Sequence, residues 1–449
     1  MGLAYKLIHM LTSRVPHSLH KAFATFYARH ACVQLLRKNG LLTALAEIIF
    51  RKFTGERAHR QRIKKLREIR KKDVIRVVFQ VWSLAKWKSD SVYKAMLRHP
   101  KFCPIIWITD DPTSPSQEKV DMRNIMEAFF SRNKYRYIYA ENRDALYQEV
   151  RPDIIFIQEP YIYNADAISS ALSGELLCFV CYYVSNTVSK AGHIQFLNLA
   201  TTLRFVENQS VYKEISTILK KKSNLFIVGH PTFDYLREGQ NHCNTHNTSV
   251  WKTQTGIKKL IWAPHWTITN ESFYSNSTFL SIYDDMVRIA RKYADKIHIA
   301  FKPHPTLYRT LCEYSDWGRE KTEAYYRLWA TMPNTQIEKG EYRELFWESD
   351  AMIHDCGSFI IEYPMVNKPC LYLQRESAYG DFNEFARAAL NCYTIGRNIE
   401  DIEKFIIEQV LHGHDFKREE REMFIQRYLE PSGGKTSAEN IIEAIMTKN

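Results

Sequence analysis

From Val74 onward the chain alternates short apolar runs with segments of helical periodicity, and few folds accommodate that pattern. The first series reads VIRVVFQVWS, CPIIWITDD, YRYIYA, IIFIQEP, LCFVCYYV, LRFVEN and LFIVGHP, ending at Pro231, with a helix expected near Ser91 to Leu97. Nearly continuous apolar runs at spacings of roughly 20 to 30 residues belong to strands buried on both faces, that is, to a parallel sheet covered by helices. A polar stretch, Gly239 to Val250, reads as a linker. A second series follows from Lys259: KLIWAPHW, IHIAFKPHP, TQIEKG, AMIHDCGS, CLYL and YTIG, with helices expected over Phe279 to Tyr293 and near Tyr325 to Trp329. The last fifty residues read as helices. The expected architecture is α/β: two Rossmann-like domains, residues 73–245 and 246–449, facing a cleft, with ligands at the carboxyl ends of the strands.

Residues 1–72 differ from the rest. They hold 17 Lys/Arg against three Glu, a net +14, so the whole excess of +12 in the 449-residue chain comes from this arm. Its apolar residues recur with helical spacing (Leu3, Leu7, Ile8, Leu11, then Phe23, Phe26 and Tyr27), and Arg51 to Lys72 is nearly all charge. A basic, amphipathic helical arm suits an anionic membrane surface, each well-placed cation adding about 1 kcal/mol. A helical hairpin packed on the body is the second reading. Nucleic acid ranks third and is not expected as a partner, because the aromatics share the apolar face instead of interleaving with the cations. No signal peptide is expected, and no apolar run approaches the ~20 residues that span a bilayer. The expected location is cytoplasmic, peripheral on the inner face of the membrane.

The nine cysteines show no paired spacing, as reduced thiols would. Cys178 and Cys181, three apart in the apolar run LCFVCYYV, face opposite sides of a strand and cannot pinch one metal. His242, Cys243 and His246 fall in the linker without a fourth ligand nearby. Thr109-Asp110-Asp111, followed at once by Pro112, reads as a turn cap. No metal and no cofactor are expected.

Candidate chemistry gathers at three strand-end turns of the second series: Pro264-His265-Trp266, Lys302-Pro303-His304-Pro305 and Asp355-Cys356-Gly357-Ser358. The third sits in SDAMIHDCGSFIIEYPMVNKPCLYL, a strand, a polar turn and a helix expected from about Phe359. A turn that opens a helix aims unpaired backbone N–H groups and the positive end of the helix dipole at one point, which suits phosphate. Ser358 could cap that helix and donate to a phosphate oxygen. Glu362, one turn on, could accept hydrogen bonds from ribose hydroxyls. An ordinary N-cap with a surface Glu fits the same residues. Prolines on both sides of His304 stiffen its loop. The chain has neither the Gly-x4-Gly-Lys-Ser/Thr of P-loop enzymes nor a Gly-x-Gly-x-x-Gly fingerprint.

WAPHWT, FKPHP, LFWESDAMIHDCGSFIIEYPMVNKPCLYL and LFIVGHPTFDYL together resemble the CDP-glycerol glycerophosphotransferase family, the teichoic-acid and capsule enzymes, over about Arg76 to Leu429. The resemblance implies a glycosyltransferase-B type fold, no obligatory metal, and transfer of glycerol phosphate from CDP-glycerol to an acceptor hydroxyl with release of CMP. By position it implies that His304 contacts the donor diphosphate, that Gly357 and Ser358 cradle phosphates, and that Glu362 approaches the ribose. Lys302 and Asp355 belong to the same donor-binding set, and His265 joins the catalytic one. Two departures stand out. Thr267 follows Trp266 where the family usually places Arg, and Tyr182-Tyr183 stand near the family's His-Gly pair. His193, about ten residues on, is the candidate base for the acceptor, a glycan or lipid-linked hydroxyl. A glycosyltransferase of the same architecture using a nucleotide sugar is the alternative. A non-catalytic module binding membranes or polyanions is the second.

Overall fold

The computed structural model describes residues 53–160, 164–187, 196–219, 224–242, 249–253, 256–269, 277–338, 342–375 and 382–447. Most of the basic arm, with the apolar stripe expected to face a membrane, lies outside these residues. Its end forms a helix, α1 (Glu56–Ile69), that buries Leu66 and Ile69 against the first domain. Arg70, just beyond it, donates to the carbonyl of Ile445 at 2.5 Å.

The two apolar series form two wholly parallel sheets. The first contains β1 (Ile75–Val81), β2 (Phe102–Ile108), β3 (Tyr137–Tyr139), β4 (Ile154–Ile157), β5 (Leu176–Phe179), β6 (Leu203–Val206) and β7 (Leu225–Ile227), in the order β3-β2-β1-β4-β5-β6-β7. The second contains β8 (Lys258–Ala263), β9 (Ile297–Phe301), β10 (Thr335–Ile337), β11 (Ala351–His354), β12 (Cys370–Leu373) and β13 (Thr394–Gly396), in the order β10-β9-β8-β11-β12-β13. Val77, Val78 and Phe79 in succession on β1 are fully buried, as are Ile297 to Phe301 apart from His298 at 2%. Burial on both faces is why these runs lack alternation; each buried Val, Ile or Phe contributes about 1.5–3 kcal/mol.

In both sheets the winding reverses at one place, between β1 and β4 in the first and between β8 and β11 in the second. Connections on either side of such a reversal leave the sheet toward opposite faces, which opens a crevice beyond the strand ends. The helix expected near Ser91 to Leu97 is α2 (Asp90–Arg98). The helix α3 (Pro231–His242) continues through the first residues of the stretch expected as linker. Residues 243–248, which include Cys243 and His246, lie outside the described residues. The helix expected over Phe279 to Tyr293 is α4 (Phe279–Lys292). Asp110 pairs with Arg123 at 2.7 Å, and Asp111 caps its turn by accepting from Thr113 N and Oγ1.

One helix belongs to the domain at the other end of the chain. The last, α5 (Ser437–Met446), lays Ala438, Ile441, Ala444 and Ile445 into the core of the first sheet. Asp234 of α3 accepts the first amides of α5, Ser437 N at 2.7 Å and Ala438 N at 2.9 Å. Gly229, at φ +87°, lies so close that a Cβ there would stand 2.5 Å from Ser437 Oγ. A shared apolar cluster running from Val206 and Phe233 to Met352 and Phe385 joins the two halves.

Candidate active site

The three strand-end turns meet because β9, β8 and β11 are neighbours in register. Trp262 pairs with Phe301 and Ala263 with His354, so each strand delivers its turn to the same edge. Backbone bonds lock them further: Lys302 N donates to Trp262 O at 2.8 Å and His304 N to Pro264 O at 3.0 Å. The His265 and His304 rings stand 5.0 Å apart at 64°. Beneath them Trp262 packs on Phe279 and Phe301, a rigid aromatic floor.

The tautomers follow from the local bonds. Thr306 N donates to His304 Nδ1 at 3.1 Å, which places the ring proton of a neutral His304 on Nε2. Thr267, standing where the family usually has Arg, turns its hydroxyl to His265 Nδ1 at 2.8 Å, and its N–H approaches the same atom. Both imidazoles therefore offer an Nε2–H. Burial, aided by His265 and Lys302, pulls His304 down to about 3, and burial pulls His265 down to about 4. Both rings are neutral donors at neutral pH. Lys302 is buried behind them, and that burial pulls its amine down to about 8.

Asp355 faces inward. Its carboxylate accepts His265 N at 2.5 Å, Thr278 N at 2.6 Å and Thr278 Oγ1 at 2.9 Å, stapling the β8 turn and the start of α4 to the β11 turn. Burial pushes it up to about 6 against the pull of those donors. The helix after Ser358 is a single turn, Phe359–Glu362, continued as 3-10 through Val366, and Ser358 makes no side-chain cap. Pro364 is the reason for its brevity: it has no N–H for the ladder. The Tyr393 hydroxyl takes up the carbonyls of Phe359 and Ile360, at 2.9 and 2.8 Å.

The first domain closes over this edge. A Cβ on Gly357 would stand 2.8 Å from Asn186 Nδ2, and Asn383 N donates to Asn186 O at 3.1 Å. Glu362 is buried at the domain boundary, where the Tyr342 hydroxyl donates to it and Lys88 Nζ donates to Tyr342 at 2.8 Å. The Lys302 amine lies 5.9 Å from the Tyr342 ring centre. His230 of LFIVGHP lies elsewhere: its Nε2 stands 2.9 Å from Cys181 O, holding the loop after β5. His193 lies outside the described residues. The sequence reading passed over Lys86, Lys88, Asn186, Tyr342 and Glu159. The available signal for Glu159 was its position, ending the run IIFIQEP as the selected histidines end theirs.

With this geometry in place, the family comparison is decisive. The model of the CDP-glycerol:poly(glycerophosphate) glycerophosphotransferase family matches residues 206–447, over half of the chain and all three turns. The chain belongs to that family. No curated protein matches this glycerophosphotransferase. Among solved structures it is similar to UDP-GlcNAc 2-epimerase from Neisseria meningitidis bound to UDP-GlcNAc, at 13% identity and TM-score 0.56, covering 83% of this chain and 100% of that one. It is also similar to S. aureus MnaA with UDP, at 12% identity and TM-score 0.56, over 83% and 96% of the two chains. A variant of the wall teichoic acid polymerase TagF with CDPG matches at 14% identity and TM-score 0.51, over 92% and 98%. At such identities the likeness is one of fold, and the fold is glycosyltransferase-B type. Among the described residues of the transferase, no helix is long and apolar enough to cross a membrane.

Proposed function

We propose that the chain transfers glycerol phosphate from CDP-glycerol to a hydroxyl of a cell-surface glycan or polymer, releasing CMP. One observation carries the reading: two Nε2–H imidazoles 5.0 Å apart over a buried lysine, at the strand-order reversal and beside the Gly357-Ser358 turn. Neutral N–H donors backed by one cation suit a diphosphate whose charge builds on the departing side. In the step, the acceptor oxygen bonds to the β-phosphorus as its bond to the bridging oxygen breaks. The electron pair leaves on CMP, and the hydroxyl proton passes to a base on the first domain's side. His304 and Lys302 meet the developing charge, Ser358 and Gly357 hold phosphate oxygens, and Asp355 positions His265. Glu362, linked through Tyr342 to Lys88, would exchange that bond for a ribose hydroxyl.

The TagF complex with CDPG supports this donor, and its name supports teichoic-acid synthesis as the setting. The epimerase holding UDP-GlcNAc favours the second reading, a nucleotide-sugar transferase on the same frame. Incubation with CDP-glycerol, and separately with UDP- and CDP-sugars, distinguishes them. CMP release from CDP-glycerol is the expected result; UDP or CDP release from a sugar donor alone sinks it. The basic arm would hold the enzyme at an anionic membrane, beside a lipid-linked acceptor.

A further inference from the structure

The reversal in the first sheet carries its own constellation. Gln80 comes from the end of β1, Gln158 and Glu159 from the end of β4, and Asn164 caps the next helix; with Trp82 and Lys86 they line one small cavity. Gln80 and Glu159 are each only 4% exposed. Asn164 Nδ2 donates to Gln80 Oε1 at 2.9 Å, which fixes the amide and turns its Nε2 the other way. Lys86 Nζ meets Glu159 Oε1 at 2.8 Å and Asp111 Oδ2 at 3.6 Å. Two buried atoms are then left without a hydrogen-bond partner: the donor Gln80 Nε2 and the acceptor Glu159 Oε2.

Buried polar atoms without partners are costly, and an unpartnered donor and an unpartnered acceptor lining one cavity have a specific complement. A hydroxyl group donates once and accepts at its oxygen. Glu159 Oε2 would take its proton and Gln80 Nε2 its lone pair. Hydrogen bonds link the lining of the cavity to the donor side. Gln158 Oε1 accepts the Lys88 amide at 2.8 Å, and Lys88 Nζ reaches Tyr342 beside Lys302. The Lys86 amine lies 5.5 Å from the Tyr182 ring, at the start of the loop that brings Asn186 to Gly357.

We infer that this cavity is the acceptor-hydroxyl subsite, that it takes a neutral polyol hydroxyl, and that Glu159 is the base that removes its proton. The inference rests on the proposed transfer reaction and names the residue that starts it. The proton moves to Glu159 Oε2, the oxygen bonds to the β-phosphorus, and CMP leaves with the bridging electron pair. The groups facing Glu159 tune it: burial raises it to about 7, Lys86 pulls it down and Asp111 pushes it up. A base is best matched to its task near the working pH.

The test follows CMP release from CDP-glycerol with glycerol as the acceptor probe, across pH, beside the thermal shift that CDP-glycerol produces. In Glu159→Gln the donor shift is retained, release falls about 10²–10⁴-fold, and the acid limb near pH 7 disappears. Lys86→Met removes the pairing cation and moves that limb to higher pH, which a purely structural ion pair would not do. It also carries the test should Glu159→Gln not fold. Wild-type release in Glu159→Gln, with His193→Ala inactive, overturns the assignment in favour of His193; an unmoved limb in Lys86→Met overturns it as well. If the wild-type protein shows no shift with CDP-glycerol, the donor reading has failed and this base falls with it.

Discussion

At the β8/β11 reversal two imidazoles and a lysine meet; at the β1/β4 reversal a carboxylate and amides do. The two sheets share their winding, and strand ends of either kind open a crevice. What distinguishes them is which groups are turned to the crevice: two imidazole donors and Lys302 at the second, with Asp355 facing inward, and Glu159 with amides beside Lys86 at the first. On the proposed reaction, the donors and Lys302 hold charge at the second edge and Glu159 takes a proton at the first. Both places bury ionisable groups, and burial moves them in opposite senses. It keeps the histidines of the second domain neutral and brings Glu159 of the first close to neutrality. A transfer reaction needs both, and the loop carrying Asn186 brings the two edges into contact.

The comparison breaks first at His304. Replacing it by Ala removes the Nε2–H donor, and kcat should fall about 10²–10³-fold with the melting transition retained. A purified variant turning over at the wild-type rate would mean that the second edge does not act on the phosphates. Gly357→Ala probes the contact between edges. The added Cβ would meet Asn186 Nδ2 at 2.8 Å, the far end of a side chain that must swing aside, so kcat/KM should drop only modestly, by about twofold to fivefold. Adding Asn186→Ala should restore most of it, because the obstructing amide is then gone; an undiminished loss in the double variant would place the effect elsewhere.

The last effect concerns pH and has two signs. Lys302 is held near 8 by burial, below the ordinary 10.5 or so of lysine. Between those values the unfolded chain binds more protons than the folded one, so without donor the protein gains stability as pH rises from 8 toward 10.5. Donor binding runs the other way. A diphosphate favours the charged amine, so its affinity should weaken as pH passes about 8, by at most about tenfold per unit. Calorimetric titration of CDP-glycerol across that range measures it, and a flat profile would remove Lys302 from the donor site.

Much of this was legible in the chain itself. Apolar runs without alternation demanded strands covered on both faces, and their two series demanded two sheets. The turns holding His265, His304 and Gly357 were visible because a histidine or glycine just past such a run falls at a strand end, wherever the strand sits. Helix length was less legible. Pro364 is in plain view, yet a helical pattern from Phe359 conceals that the missing N–H stops the α-ladder after one turn.

What the sequence alone determined was the kind of element each segment forms and which residues stand at its end, since both depend on neighbours in the chain. Strand order decided the rest. That β9 lies beside β8, that Asp355 faces back to Thr278, that Glu159 meets Lys86 across a reversal and that the last helix completes the first domain are facts of packing between distant segments. Their energies arise only when water is excluded from between them. No local pattern records that event.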